Sequence, residues 1–476
     1  MLRGELNIWK NKDLDQLQEA VIDVVENVGM RVENTSILEI LFEKGAVVDK
    51  RNKTVKFPIG MIEDIISYFK DNKSDKEIRP DNFKLIIEGG GAPSILQYGK
   101  KERRKPTRKD FIDVIKLGDG LEKVKMISHP LTYSRADPKI GLIETAALLL
   151  QYTEKPVHVE VTDSKSVKYL VKMAEIFERK PSKFMTADNA ITSPLICGEG
   201  TGKTLLEMAK YGIPALTVGT MPVSGLNSPV TLAGTVIIAS AEILGGLIIN
   251  KAINEIKIGK SKEIDVYAVL ISGSFDMSTM KPVWASPEAD LQDIGACQLL
   301  KSRFGIPVRI FPRYVDAKVP GVQAVFERML KQLTCELVGG MSDLWDRGLG
   351  IGSLDGGAIF SPIQAILDIE FGKAIWRFLQ GIKVNKETMA LDVIKEVGIG
   401  RDYLTHEHTL RNFRQEFWFP ELLDRTVQEK EEKILEKAYD KYKSILRAYK
   451  PPIINRDKQI ELKKILNCAK KELLSI

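Results

Sequence analysis

Cysteine and histidine are both scarce in this chain of 476 residues, with four of each. Cys197, Cys297, Cys335 and Cys468 stand far apart and no C-x-x-C occurs, which excludes a disulfide framework and the common structural zinc patterns and suits a reducing cytoplasm. His129, His158, His406 and His408 offer no metal-ligand spacing; His406 and His408 point the same way only in an extended segment, so no metal is expected. Neither sign of charge dominates: 70 Lys and Arg against 64 Asp and Glu leave +6. The densest basic run, Lys100-Lys101-Glu102-Arg103-Arg104-Lys105, is too short for a nucleic-acid footprint and reads as a solvated loop, with an acidic partner protein as the alternative. The N-terminus, Met1-Leu2-Arg3-Gly4-Glu5, lacks the apolar stretch of a signal peptide. One run, Val230 to Ile249, is long and apolar, but Glu242 sits near its middle among Gly234, Gly245 and Gly246. A central carboxylate is costly in a bilayer, so a buried helix, no membrane and a cytoplasmic location are expected.

What is present is an ordinary globular composition, 44% hydrophobic and 28% charged, large enough for a core without staples. Residues 1–76 read as an N-terminal helical module: Leu14, Leu17, Val21, Val24, Val25 and Val28 recur at helical spacing, Gly29 stops the run, and Ser36-Ile37-Leu38-Glu39 reads as a capping box opening a second helix. The polar run Lys70 to Lys76 marks a boundary. Short apolar runs then alternate with amphipathic stretches over residues 77–425. The expected strands are Phe83–Ile87, Val124–Ile127, Val157–Val161, Phe184–Ala187, Pro214–Val218, Tyr267–Ile271, Val308–Phe311 and Leu349–Leu354. Eight strands each followed by a helix predict a (β/α)8 TIM barrel. Residues 426–476 read as C-terminal helices packing on the barrel or on a neighbouring subunit, so a homo-oligomer is expected.

Several motifs fail. Gly198-Glu199-Gly200-Thr201-Gly202-Lys203-Thr204 resembles a phosphate loop, but the place of its first glycine is Cys197. Gly348, Gly350 and Gly352 miss the dinucleotide fingerprint, whose third glycine falls on Ser353 or Asp355. No G-x-S-x-G elbow occurs.

In such a barrel, chemistry sits on the loops after the strands. These loops carry Tyr98, Tyr133, Arg135, Asp276, Phe275, Trp284, Arg313, Tyr314, Asp355 and Phe360. Aromatic faces beside a carboxylate make a receptor for a quaternary or tertiary ammonium, and Arg135 or Arg313 suits a substrate carboxylate. The alternative for each aromatic is packing beneath its loop.

The sequence resembles the trimethylamine methyltransferase family from about Asn7 to Arg425. The resemblance rests on Gly89-Gly90-Gly91-Ala92-Pro93, Tyr152-Thr153-Glu154-Lys155-Pro156, Thr192-Ser193-Pro194-Leu195, Met221-Pro222-Val223-Ser224-Gly225-Leu226-Asn227-Ser228-Pro229, Ser353-Leu354-Asp355-Gly356-Gly357 and His406-Glu407-His408-Thr409-Leu410-Arg411. It implies a barrel, a methylated amine and, as acceptor, a corrinoid (cobalamin) on a cognate corrinoid protein, none being tightly bound to this chain. Archaeal members of the family carry pyrrolysine in the barrel mouth; this chain has no such residue, which implies the branch acting on glycine betaine and related quaternary amines. Asp276 and Asp355 are then expected to set the field around the ammonium, with Tyr98, Tyr133, Phe275, Trp284 and Tyr314 as cage walls. Two rival readings are a betaine-binding or sensing barrel without methyl transfer, and a metal-dependent transferase of O-methyl groups, which the shortage of ligands disfavours.

Overall fold

A computed structural model describes residues 6–71, 85–87, 91–100, 102–133, 137–259, 267–310, 312, 314–338, 349–426 and 430–474. The chain is mixed α/β. The strands at its centre run parallel and neighbour one another in chain order. Leu85–Ile87 pairs with Val124–Ile127, which meets Val157 through a bridge from Ile127. Val159–Glu160 pairs with Met185–Thr186, and the same segment continues as Asp188–Thr192 beside Thr217–Thr220. Thr217–Thr220 pairs with Tyr267–Leu270, and that strand with Val308–Ile310. The last strand, Leu349–Gly350, returns to pair with the first at Leu85 and Ile86. No ladder joins Val308–Ile310 to Leu349–Gly350 among the described residues.

Strand centres fall where the apolar runs place them, with local shifts that have causes. The fifth strand begins at Thr217 rather than Pro214 because Ala215 gives its backbone to Asn254: its N–H donates to Oδ1 and its carbonyl accepts from Nδ2, both at 2.9 Å. Phe184 ends a short helix, Pro181–Phe184, instead of starting a strand. The segment after Gly350 leaves the parallel set, and Ser353–Leu354 forms a small sheet with Ile359–Phe360 and Ser94–Ile95.

The N-terminal module is not purely helical. Helix Asn11–Asp23 buries Leu14, Leu17 and Val21. A π-helical turn, Val24–Val28, follows it and ends at Gly29. The second helix starts earlier than the capping box suggests: Asn34 is the cap, accepting from the Ile37 N–H at 3.2 Å. Three short strands, Met30–Val32, Val47–Asp49 and Thr54–Lys56, are antiparallel, with Thr54–Lys56 between the other two. Met30–Val32 also pairs parallel to Ile196–Cys197, fastening the module to the central strands. Three-residue strands are too short to show alternation. The expected boundary at 76/77 lies outside the described residues.

Helix Leu232–Lys257 is apolar on every face because every face is covered. It is long and apolar enough to cross a membrane, yet 72% of its most apolar stretch is buried within the chain. Two glycines let it in. A Cβ on Gly246 would stand 2.5 Å from Val218 Cγ1, and one on Gly245 would strike the Met30 sulfur. Its polar side chains are spent on the strands beside it: Asn189 Nδ2 donates to Asn250 Oδ1 at 2.9 Å. The wholly buried Glu242 accepts from Ser193 Oγ and the Leu195 N–H, both at 2.8 Å, and from Thr220 Oγ1. Burial raises its pKa.

The C-terminal helices pack apolar stripes on this chain's own helices. Glu431–Ala448 packs on Pro362–Leu379 and Arg108–Gly120, and Arg456–Leu474 packs on Val167–Ile176 and Gly141–Tyr152.

Candidate functional site

The loops following strands Tyr267–Leu270, Val308–Ile310 and Leu349–Gly350 are tied into one body. After the first of these strands a hairpin, Gly273–Asp276 with Lys281–Val283, leads to Trp284. The backbone of Trp284 is clamped from both sides. Its N–H donates to the Asp316 carboxylate at 2.9 and 3.0 Å, the Ala285 N–H joins at 2.8 Å, and its carbonyl accepts from Lys331 Nζ at 2.7 Å. Asp316 is held in turn by Glu327, which accepts its N–H at 2.7 Å and that of Ala317 at 3.0 Å. Arg328 joins the other two loops, donating to the Pro312 carbonyl at 2.7 Å and the Ser353 carbonyl at 3.1 Å.

Glu327, Arg328 and Lys331 lie on one face of helix Val322–Leu337, spaced i, i+1, i+4, so a single rigid element sets all three loops. Beneath Trp284, Lys331 lies 3.5 Å from both Asp290 and Asp293. Asp293 also accepts the Ser272 N–H at 2.7 Å. Two carboxylates thus share one cation in a dry interior. Burial pushes Asp290 up to about 7, and burial raises Asp293 as well. Burial by itself would lower the Lys331 ammonium, but Asp293 and Asp290 outweigh it and raise it.

Two aromatic rings meet at these loops. Trp284 and Tyr314 have centroids 6.1 Å apart at 45°. Glycines make room for both: a Cβ on Gly356 would lie 2.7 Å from the indole, one on Gly273 would lie 3.1 Å from its other edge, and one on Gly357 would enter the Tyr314 ring. Asp355 heads that glycine turn. It pairs with Arg103 at 2.7 Å and with Lys318, while its N–H donates to the Ala317 carbonyl at 2.9 Å.

Of the residues the sequence proposes for the site, Trp284, Tyr314 and Asp355 come together here. Phe360 packs beneath, with its ring 2.6 Å from where a Cβ on Gly352 would sit. Phe275 lies in the hairpin, paired with Pro282. Asp276 is at the hairpin tip, serving its own turn: it accepts from the N–H and hydroxyl of Ser278 at 2.8 and 2.6 Å and from the Thr279 hydroxyl at 2.6 Å. The Ser278 and Thr279 bonds hold its carboxyl down at about 2. Tyr133 turns inward, with its hydroxyl on Glu144 at 2.9 Å and its ring near Phe111. Tyr98 turns outward and stacks on Tyr439 of the C-terminal helix at 4.6 Å. Arg135 and Arg313 lie outside the described residues. Among the described residues no cluster of three or more His, Cys, Asp and Glu is arranged to hold a metal. The sequence did not point to the buried charges Asp290, Asp293, Glu327, Arg328 and Lys331; the one available signal is that helix Pro287–Phe304 gathers its polar residues on no single face, so a solvated side is not marked out for its carboxylates.

Over nearly its whole length the chain is similar to methyltransferases. It is 27% identical over 462 residues to trimethylamine methyltransferase MttB of Desulfitobacterium hafniense DCB-2, covering 93% of this chain and 90% of that protein. It is 26% identical to trimethylamine methyltransferase MttB1 of Methanosarcina acetivorans, over 89% and 86% of the two chains. It is 24% identical to the glycine betaine methyltransferase of Desulfitobacterium hafniense Y51 over 99% of both chains. The family model for trimethylamine methyltransferase (MTTB) matches residues 3–473, and the chain belongs to that family.

Proposed function

We propose that this enzyme moves an N-methyl group from a quaternary amine, glycine betaine or a related betaine, to a corrinoid carried by a separate protein. The substrate would sit between Trp284 and Tyr314 at the mouth of a (β/α)8 barrel. The observation that carries the reading is this aromatic pair, Trp284 beside Tyr314, with the Trp284 backbone clamped by Asp316 and Lys331. Ring faces attract an ammonium that has no N–H to donate. The barrel is supported by the ladder order, in which the last strand pairs with the first. Such enzymes place their chemistry where these loops lie. The quaternary substrate is supported by the full-length similarity to a glycine betaine methyltransferase.

The chemistry asks little of the side chains. When bound, the reduced corrinoid supplies the electron pair that takes the methyl carbon. The C–N bonding pair stays on nitrogen, which leaves as a neutral tertiary amine, so no proton has to be delivered. The work of the chain is to hold the ammonium, aim one methyl outward and exclude water. Trp284 and Tyr314 do the holding, and the glycine turn at Gly356-Gly357 lets them close on a small group. The rim fits a flat macrocycle on a carrier protein: Leu226, Met277, Met280 and Val319 are exposed and apolar there.

The test is conversion of cob(I)alamin to methylcobalamin, followed by absorbance, with betaines and tertiary methylamines, first with free cofactor and then with the cognate carrier. Turnover with one betaine is expected. Tight calorimetric binding without turnover in either form would establish the sensing reading instead. Neither binding nor turnover across the panel would overturn the amine assignment.

A further inference from the structure

An ion cluster beside the aromatic pair is unbalanced: Arg103 and Lys318 share the single carboxylate of Asp355. Each member is firmly mounted. Arg104 and Ile95 exchange backbone hydrogen bonds, at 2.9 Å from the Ile95 N–H and 3.1 Å from the Arg104 N–H. Ser94–Ile95 pairs in turn with Ile359–Phe360, so this segment borders the small sheet that carries the Asp355 turn. Consecutive side chains on an extended segment point opposite ways. Arg104 goes to one side and grips both oxygens of Asp110 at 2.7 and 2.8 Å. Arg103 goes to the other and meets Asp355 Oδ2 at 2.7 Å. Lys318 follows strand Val308–Ile310. Its loop is tied to the same turn, with the Asp355 N–H on the Ala317 carbonyl at 2.9 Å and the Gly356 N–H on the Val315 carbonyl at 2.8 Å. The Lys318 ammonium meets Asp355 Oδ1 and donates to the Asp316 carbonyl at 2.9 Å.

Two cations on one carboxylate leave positive charge over. Exposed ion pairs add little to stability, and these cations are 54% and 58% exposed, so stability does not account for the second one. Nor does Asp355 use up its partners. It takes one N–H of Arg103, through Nη1, and a guanidinium has several more, set in a fork that matches a carboxylate. The surplus also has a telling place. Asp355 is followed directly by Gly356 and Gly357, the residues that lie against the Trp284 and Tyr314 rings, and about 3.8 Å separates one Cα from the next. Ring faces that favour a cation thus border a pair of cations that favour an anion. That arrangement suits a ligand positive at one end and negative at the other.

We infer that Arg103 and Lys318 receive the carboxylate of the substrate, so that the site selects trimethylammonium carboxylates over quaternary amines with no acid group. Asp355 aims the two cations without cancelling them. The inference rests on the ammonium seat proposed above and adds what fixes the far end of the substrate.

The test is calorimetric binding of glycine betaine and butyrobetaine to the full chain, against choline and tetramethylammonium, which keep the quaternary nitrogen and lack the acid. Wild type should bind one of the acids about tenfold or more tightly than either carboxylate-free probe. Arg103→Met and Lys318→Met should each raise Kd for that acid about tenfold. Arg103→Lys should keep part of the affinity, since it retains the charge and loses the fork. Tetramethylammonium should bind as well or more tightly in the Met variants, because a charge that repels it has gone. A role confined to bracing the turn has the opposite sign, since a loosened turn weakens every probe alike; that outcome overturns the inference. So does a preference for acids that survives both Met variants, and if those variants then lose turnover only with the corrinoid carrier, the cations belong to the carrier. A wild type that binds acids and choline equally removes the carboxylate seat and leaves the aromatic seat standing. A wild type that binds no probe removes both.

Discussion

Lys331→Met removes the cation that, among the described residues, faces both Asp290 and Asp293, while keeping the shape of the stem. The ammonium is wholly buried. Taking one partner from a buried ion pair costs about 3–5 kcal/mol, because an unbalanced charge stays behind. The sign of the pH dependence follows from the same cluster. Asp290 sits at about 7 against an ordinary 3.8. Between those values the folded chain binds more protons than the unfolded one, so this group withdraws stability as pH rises through that window. The loss is bounded at about 4 kcal/mol from three pKa units. Without Lys331 both carboxylates rise further, so the variant should be worst at pH 8 and recover as the pH falls to 6. Asp290→Asn in the same background leaves one carboxylate where two repelled each other, and should restore about half the loss. Alone, Asp290→Asn should flatten the pH dependence between 5 and 7. Thermal unfolding followed by circular dichroism reads this directly. At about 1–2 °C per kcal/mol for a chain of this size, Lys331→Met should lower Tm by roughly 4–8 °C at pH 8 and the double variant by about half that. An identical shift at pH 6 and pH 8, or a double variant that simply sums two losses, would refute the shared-cation account.

Trp284→Ala should weaken betaine binding by calorimetry about tenfold or more, with Trp284→Phe keeping part of it, as expected of a ring face worth about 1–2 kcal/mol to a desolvated ammonium; equal affinity in all three would move the seat elsewhere. Asp276→Asn should change methyl-transfer rates by less than about twofold, since its oxygens already serve the Ser278–Thr279 turn; a loss above tenfold would put that carboxylate in contact with substrate. Gly357→Ala, at φ 91° and against the Tyr314 ring, should raise KM more than it lowers Tm, because the ring must yield before the backbone does; unchanged KM would show that Tyr314 does not border the substrate.

The central strands were legible because a strand covered on both sides reads as a bare apolar run. The three short strands at Met30, Val48 and Val55 were not, since three residues cannot display a period. Among the proposed site residues, Trp284 and Tyr314 meet because Asp316 and Lys331 clamp the Trp284 backbone and so draw two loops together. Tyr98 and Tyr133 stand in equivalent loop positions, yet one faces the C-terminal helix and the other Glu144. Loop path, not loop membership, aims a side chain. The buried charges were hidden for another reason: a charged residue on an amphipathic helix is normally its solvated face. Glu327, Arg328 and Lys331 invert that rule, since their partners are backbone groups of three separate loops that only tertiary structure brings within reach.

The pairing of Leu349–Gly350 with Leu85–Ile86 also fixes when the molecule can finish itself. One edge of the first strand stays bare until residue 350 has been made. Translation at about 5–20 residues per second leaves it waiting for roughly 13–50 seconds. During that interval a strand edge flanked by Leu85, Ile86 and Ile87 stands open to any other nascent chain. The newborn protein is therefore most exposed to mispairing while it is still on the ribosome, and its yield in a cell should depend more on what shelters that edge than on the stability of the finished fold.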